Sequence, residues 1–248
     1  MQDVEMLLRW AEQIKTELNK KDKVFLEKQE TAFVVEYTHN STAIEGNTLT
    51  LMETKLVLED KLSVQGKELR EIYETVNHEQ AYRYVKNLIE KKIPLSANVV
   101  KNLHEILVKN IFQGGIYRNH NVRITGATFR PPEPEIMFQD IGRFFFNLPV
   151  MENVCDAIEL AAWTHAEFVR IHPFPDGNGR ICRLLMNYQL MQQGLFVVSI
   201  AKENKLEYYK ALEEYAIHGN LQHFTDFVFK TEEERLQELA KDLSIKLL

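Results

Sequence analysis

Cysteine is almost absent from this chain. Its 248 residues include two, Cys155 and Cys182, with no CxxC spacing. That excludes a disulfide scaffold and a thiolate zinc site, and it fits a reducing cytoplasm. Long apolar runs are lacking as well. No segment approaches the ~20 apolar residues that span a bilayer, and the N-terminus has no apolar leader core. Positive charge is not in excess. The net charge is −6, so neither nucleic acid nor a membrane is an expected partner. Internal repeats and low-complexity linkers are missing. So is any Gly-Lys-Ser/Thr phosphate loop, and no strand leads into a glycine cluster as a dinucleotide fingerprint requires. These absences leave a soluble, cytoplasmic globular protein, for which a hydrophobic content of 45% supplies an ample core.

What is present is mostly helical periodicity. Val4, Leu7, Leu8, Ala11, Ile14 and Leu18 recur at the three-four spacing of an amphipathic helix. A second helix is expected over residues 23–45, stopped by Gly46-Asn47. Thr50-Leu51-Met52-Glu53 reads as a capping box opening a helix to about residue 62. Further helices are expected over 67–92, from the Ser96 cap to about 111, and over 135–148, 152–170, 179–193 and 205–217. One or two more run from 221 towards the end. Residues 112–134 differ, because their glycines and prolines cannot lie in a regular helix. There Val122-Arg123-Ile124-Thr125 alternates like a short strand, which predicts a hairpin or flap. The fold class is therefore all-α, a helical bundle with one small β-hairpin. Leu236, Leu239, Leu243 and Leu247 repeat in a heptad-like way, but four positions fit a terminal helix packed on its own domain better than a coiled coil.

The densest chemistry sits between two helices, in Ile171-His172-Pro173-Phe174-Pro175-Asp176-Gly177-Asn178-Gly179-Arg180-Ile181-Cys182-Arg183. Glycines let the backbone approach an anion, and the amides of the following helix N-terminus point at it. Arg180 and Arg183 share a helix face and can grip one polyphosphate. Asp176 can hold Mg²⁺, which takes one or two carboxylates plus phosphate oxygens. His172 can act as a base at neutral pH. A tight turn with solvated arginines would not explain all of these groups together, so the stretch reads as a phosphoryl or nucleotidyl transfer site. A metal-hydrolase reading with His165, His172 and Asp176 is weaker, because a turn separates the histidines and no ligand pattern is formed.

This stretch resembles, position for position, the HxFx(D/E)GNGRxxR signature of Fic-domain proteins, the protein adenylyltransferases. The likeness extends over roughly residues 66–215. Glu71, Asn77 and Ala81 resemble a Glu-x5-Asn-x3-Ala helix, Gly115-x-Tyr117-Arg118 resembles the segment before a flap, and Tyr208-Tyr209-x-Ala211-Leu212 resembles the nucleotide-side helix. The resemblance implies a Fic fold and transfer of AMP from ATP, with Mg²⁺, to a Ser, Thr or Tyr hydroxyl of a protein. His172 would be the catalytic base and Asp176 the metal ligand. The backbone of Gly177, Asn178 and Gly179 would form the anion hole, and Arg180 and Arg183 would bind the β- and γ-phosphates. Tyr208 and Tyr209 would lie near the adenosine, although both also suit helix packing. Phe174 would anchor the loop. Val122, Arg123, Ile124 and Thr125 would be the flap that docks the target as an added strand.

Ser41-Thr42-Ala43-Ile44-Glu45-Gly46-Asn47 resembles the family's inhibitory motif, (S/T)xxxE(G/N). By local physics alone, Glu45 is a solvated acid before a glycine stop. It also opposes the helix dipole by about 0.3–1 kcal/mol, which a cation would relieve. The resemblance supplies Arg183 as that cation, with Ser41, Glu45 and Gly46 acting as a brake. It divides the chain into N-terminal helices over 1–65, a core over 66–220 and a C-terminal helix over 221–248. It also allows self-AMPylation, removal of AMP and a homodimer. The residues after Asn220 are too few for the DNA-binding module of some relatives. A regulatory nucleotide-binding module and transfer of another phosphate-containing group stay open as alternatives.

Overall fold

The computed structural model describes residues 3–124 and 126–248. It contains ten α-helices among them: α1 Val4–Leu18, α2 Lys23–Ile44, α3 Leu51–Leu58, α4 Leu69–Glu90, α5 Ala97–Leu107, α6 Pro134–Val154, α7 Ala157–Ile171, α8 Asn178–Gln192, α9 Lys205–His218 and α10 Gln222–Asp242. Side-chain caps set many of the starts. Asp3, Asp22, Ser96 and Asp156 each accept from a backbone amide of the turn they open. Thr50 and Glu53 form the reciprocal capping box expected for α3.

The expected β-hairpin is not there. No strand is formed among the described residues, and Val122, Arg123 and Ile124 have no regular secondary structure; Thr125 lies outside the described residues. The reason is that alternation favours an extended chain, whereas a strand needs a second one beside it. Here the following residues turn away through Gly126 (φ 84°) and an Ala127 N–H to Ile124 C=O bond of 3.2 Å.

Helix α6 also departs from expectation, running through Pro149 to Val154 rather than ending at residue 148. Pro149 lies on the exposed face, where water can satisfy the carbonyl that the missing N–H leaves open. The next helix accordingly starts at Ala157, capped by Asp156, not near residue 152. Helix α5 ends at Leu107, short of residue 111, with Asn110 at φ 65°.

Helix α8 is the axis of the molecule. Of its fifteen residues twelve are buried, Arg180 to Leu190 without interruption. A helix enclosed all round must be packed on every side. Its Met186 and Leu190 join a core with α1, α7, α9 and α10. Its Ile181, Leu184, Leu185 and Tyr188 join a second core with α2, α4, α5 and α6. Leu236, Leu239 and Leu243 of the tail are buried in the first core. No helix is long and apolar enough to cross a membrane among the described residues.

One buried acid makes stability pH-dependent. Glu232 of α10 is fully buried and accepts the Phe196 N–H at 2.8 Å, while its other oxygen has no partner among the described residues. Burial pushes its carboxyl up to about 8. In the unfolded chain it ionises near the ordinary 4.5, so the folded state binds the extra proton between those values. Stability should therefore fall as pH rises from about 5 to 8, by about 1 kcal/mol per unit from this group alone. Glu232→Gln keeps the acceptor and removes the titration. Melting temperatures across that range should fall less steeply for the variant; equal slopes would refute the assignment.

Candidate active site

The loop between α7 and α8 is built by backbone geometry first. His172 closes α7 in the left-handed region (φ 51°, ψ 58°), with its N–H on the Phe168 carbonyl at 3.0 Å. A β-carbon makes that conformation costly, and such outliers persist only where the surroundings impose them. The surroundings here are Pro173, which cannot continue the helix, and Arg118. Arg118 is buried and donates to the carbonyls of His172 (2.8 Å), His120 (2.9 Å) and Pro132 (2.5 Å). Its own N–H holds the Pro173 carbonyl at 2.9 Å. One guanidinium thus ties the end of α7 to His120 and to Pro132 ahead of α6.

Phe174 is fully buried and stacks on His104 with ring centroids 3.9 Å apart. His104 accepts the Gly115 N–H on Nδ1 at 2.8 Å, so its Nε2 carries the proton donated to the Asp176 carbonyl at 3.1 Å. Asn178 staples the turn from within, accepting from the Phe174 N–H at 3.0 Å and donating to its carbonyl at 2.8 Å. Gly177 then opens α8 at φ 82°, a conformation that glycine adopts without steric cost. The first intrahelical bond is Ile181 N–H to Gly177 C=O. The amides of Asn178, Gly179 and Arg180 precede it and form the positive end of the helix. The Gly177 amide is taken by Asp176 Oδ1 at 2.6 Å.

His172 donates from Nδ1 to the Val169 carbonyl at 3.2 Å, which leaves the lone pair on Nε2. Burial lowers its pKa to about 4, against the opposing effects of the Val169 carbonyl and the Glu45 charge. The imidazole is therefore neutral at physiological pH, with a free basic nitrogen beside the helix N-terminus.

Both arginines of the motif are buried, Arg180 at 2% and Arg183 at 1% exposure. Arg180 faces Glu74 and Asp176, each at 3.6 Å, and its Nε and Nη1 lack a hydrogen-bond partner among the described residues. Unsatisfied buried donors on a cation are costly, and an anion would satisfy them. Arg183 is engaged. Its Nε donates to Ser41 Oγ (2.9 Å), its Nη2 to the Ser41 carbonyl and Glu45 Oε1 (both 2.8 Å), and its Nη1 to the Tyr208 hydroxyl (3.4 Å). Glu45 follows α2 as its C-cap, and Gly46 turns the chain away at φ 103°. The Glu45 carboxylate presses on Gly179 where a β-carbon would collide with it. Ser41, Glu45 and Arg183 thus meet although 138 or more positions separate the arginine from the other two.

Sequence reading missed Arg70 and Glu74. Arg70 Nη2 donates to Asp176 Oδ2 at 2.5 Å and its Nε to Glu74 at 3.1 Å. Their spacing of four on one helix was the available signal, but such pairs usually face water. Asp176 is a single carboxylate, and no cluster of three His, Cys, Asp or Glu ligands exists among the described residues. That donor set fits Mg²⁺ only when phosphate oxygens complete its shell.

A cleft of about 100 Å³ opens beside this loop, lined by Ile124, Phe129, Val169, Tyr208, Tyr209 and Leu212, with Glu45, His172 and Gly179 also facing it. Its outer edge is latched, since the Thr128 amide and hydroxyl both donate to Glu213 Oε1 at 2.6 and 2.5 Å. Tyr209 reaches back from α9 to the Ile44 carbonyl at 3.4 Å. His165 is buried and bonded to the Tyr208 hydroxyl at 2.9 Å, away from Asp176 and His172, so the hydrolase trio is not assembled.

The Fic/DOC family model matches residues 94–190. The chain is 33% identical over 214 residues to the protein adenylyltransferase Fic of Nematostella vectensis, over 85% of this chain and 49% of that protein. It thus spans about half the length of the curated relatives it matches. A solved Fic-domain-containing signaling protein from Bacteroides thetaiotaomicron superposes with a TM-score of 0.82 at 26% identity, covering 95% of this chain and 98% of that one. Fic-1 from C. elegans does so with a TM-score of 0.83 at 29% identity, covering 97% and 72%.

Proposed function

Because the chain belongs to the Fic/DOC family, we propose that it transfers AMP from ATP to a Ser, Thr or Tyr hydroxyl of a protein and is held off by its own Glu45. The carrying observation is the loop itself: a neutral His172 with its Nε2 free, beside an open helix N-terminus and two buried arginines. In this reading Nε2 takes the proton from the target hydroxyl as its oxygen attacks the α-phosphorus. The bond to the bridging oxygen breaks and pyrophosphate leaves with the electron pair. Arg180, Arg183 and the amides of Asn178 and Gly179 offset the charge on the phosphates. Such chemistry depends on positioning and charge neutralisation more than on covalent help. Asp176, released from Arg70, would hold Mg²⁺, which neutralises phosphate charge when bound. Tyr209, Leu212 and Phe129 offer an apolar wall to the adenosine. Residues 122–124 form no ladder among the described residues, and a target segment can add there as a strand.

Glu45 opposes this by holding the arginine that would receive the γ-phosphate. A reducing, cytoplasmic setting suits the two free cysteines. The deciding experiment is intact-mass analysis of the chain and its Glu45→Gly variant after incubation with ATP and Mg²⁺. Addition of one or more adenylyl groups by the variant is expected, on itself or on an added protein. A different mass increment would make the donor another group. No transfer despite measurable ATP binding would favour a nucleotide-binding module.

A further inference from the structure

Arg183 has two kinds of partner, and they belong to different parts of the molecule. Three of its four hydrogen bonds go to Ser41 Oγ, the Ser41 carbonyl and Glu45, all at the C-terminal end of α2. The fourth goes to the Tyr208 hydroxyl of α9. Withdrawal of the end of α2 would therefore remove three contacts together and leave one.

We infer that Tyr208 and His165 form a core-side tether that keeps the Arg183 guanidinium aimed at the phosphate site once α2 lets go, an inference that rests on the adenylyl-transfer reading. A guanidinium can only donate, so the Tyr208 oxygen accepts from Arg183 Nη1. The Tyr208 proton is then free to go to His165 Nε2, 2.9 Å away. In the tether that nitrogen carries the lone pair and Nδ1 the proton, and His165, fully enclosed in α7, is held neutral by burial. The chain of donors runs in one direction, from Arg183 through Tyr208 to His165, and each bond polarises the next.

The base of this tether is fixed. His165 packs against Phe224 of α10 with centroids 4.8 Å apart, and Tyr208 packs against Phe224 and Phe227, each at 6.0 Å. Tyr208 is itself 1% exposed. Its ring borders the cleft while its hydroxyl serves the arginine, a role different from the adenosine contact expected of it. An arginine side chain has large rotamer freedom, and a charge that must first be ordered contributes less to a phosphate it receives. Tyr208 is a positioning residue in this scheme, since it acts through Arg183.

The test compares Tyr208→Phe with its parent in a Ser41→Ala, Glu45→Gly background, where two of the three α2 contacts are gone. Binding of MgATP and of AMP is measured by titration calorimetry, with no target present. The phenyl ring keeps the packing. ATP affinity should fall about 2- to 13-fold, the net worth of an ordinary hydrogen bond, because the Arg183–Tyr208 contact is long at 3.4 Å, while AMP, which has no β- or γ-phosphate, should change less than about twofold. His165→Leu should produce part of the same ATP-selective loss, and His165→Gln, which restores an acceptor, should recover it. Equal losses for both ligands would mean a packing or adenosine role and would overturn the tether, as would unchanged ATP affinity. An ATP-selective loss in a chain that transfers no AMP would sink the adenylyl-transfer reading and leave the tether standing. A background chain that binds no ATP would sink both.

Discussion

His172→Ala in the Glu45→Gly background should abolish most AMP transfer while leaving ATP bound. The expected fall in rate is about a hundred- to ten-thousandfold, the range for loss of a positioned general base. ATP affinity should stay within about twofold, because the phosphate contacts assigned to Arg180, Arg183 and the α8 amides do not involve the imidazole. The geometry makes this a sharp test. The Nδ1 bond to the Val169 carbonyl commits the ring to one tautomer, and burial keeps it neutral with a pKa of about 4. The base should thus need no deprotonation between about pH 6 and 8, and protonation of His172 should not limit the rate there. Single-turnover transfer to a protein target and ATP titration of the same preparation check both halves. Transfer at the parental rate would show that the proton leaves by another route.

Glu45→Gly should raise transfer by roughly ten- to a hundredfold over the unaltered chain. The estimate follows from one hydrogen bond to a charged group, about 1.5–3 kcal/mol. The lower part of that range is the better guide, since the Glu45 side chain is 34% exposed while Arg183 is buried at 1%. Solvent weakens the pair from the glutamate side. Two contacts to Ser41 remain in the variant and still restrain the arginine. The rate of label incorporation from ATP, measured for both proteins at equal concentration, decides it. An unchanged rate would remove Glu45 as a brake and leave the ion pair as a structural contact. Incubating an AMP-modified target with both proteins would show whether the same carboxylate supports removal of AMP. Retention of that reverse activity by Glu45→Gly would exclude such a role.

Much of the site could be read because its groups are adjacent in sequence. A helix, a turn with two glycines and a second helix bring His172, Asp176, Gly177 and Arg180 together by local geometry. Helix starts were legible for the same reason: Asp22, Thr50 and Ser96 cap amides within three positions of themselves. Failures came where a local signal needed a distant partner. Val122 to Ile124 alternate correctly, yet no second strand approaches them. Pro149 looks like a helix stop, yet the exposed side of α6 tolerates it. The clamp made by Arg118, the bond from Arg70 to Asp176 and the Tyr208–His165 pair leave no periodic trace. Each joins residues from separate helices or loops, and a polar side chain of this kind reads as solvated until its burial is known.

The sequence by itself determined a mainly helical chain, to which it added a hairpin that is not formed, and the glycine-containing loop between two of its helices, because helix periodicity, capping and turn chemistry act over a few residues. Its resemblance to one family named the reaction to expect and singled out Glu45. Only the tertiary structure decided which partner holds Arg183. A buried guanidinium costs free energy until acceptors reach it, and the packing of α2 and α9 against α8 brings Ser41, Glu45 and Tyr208 to Arg183 at one point.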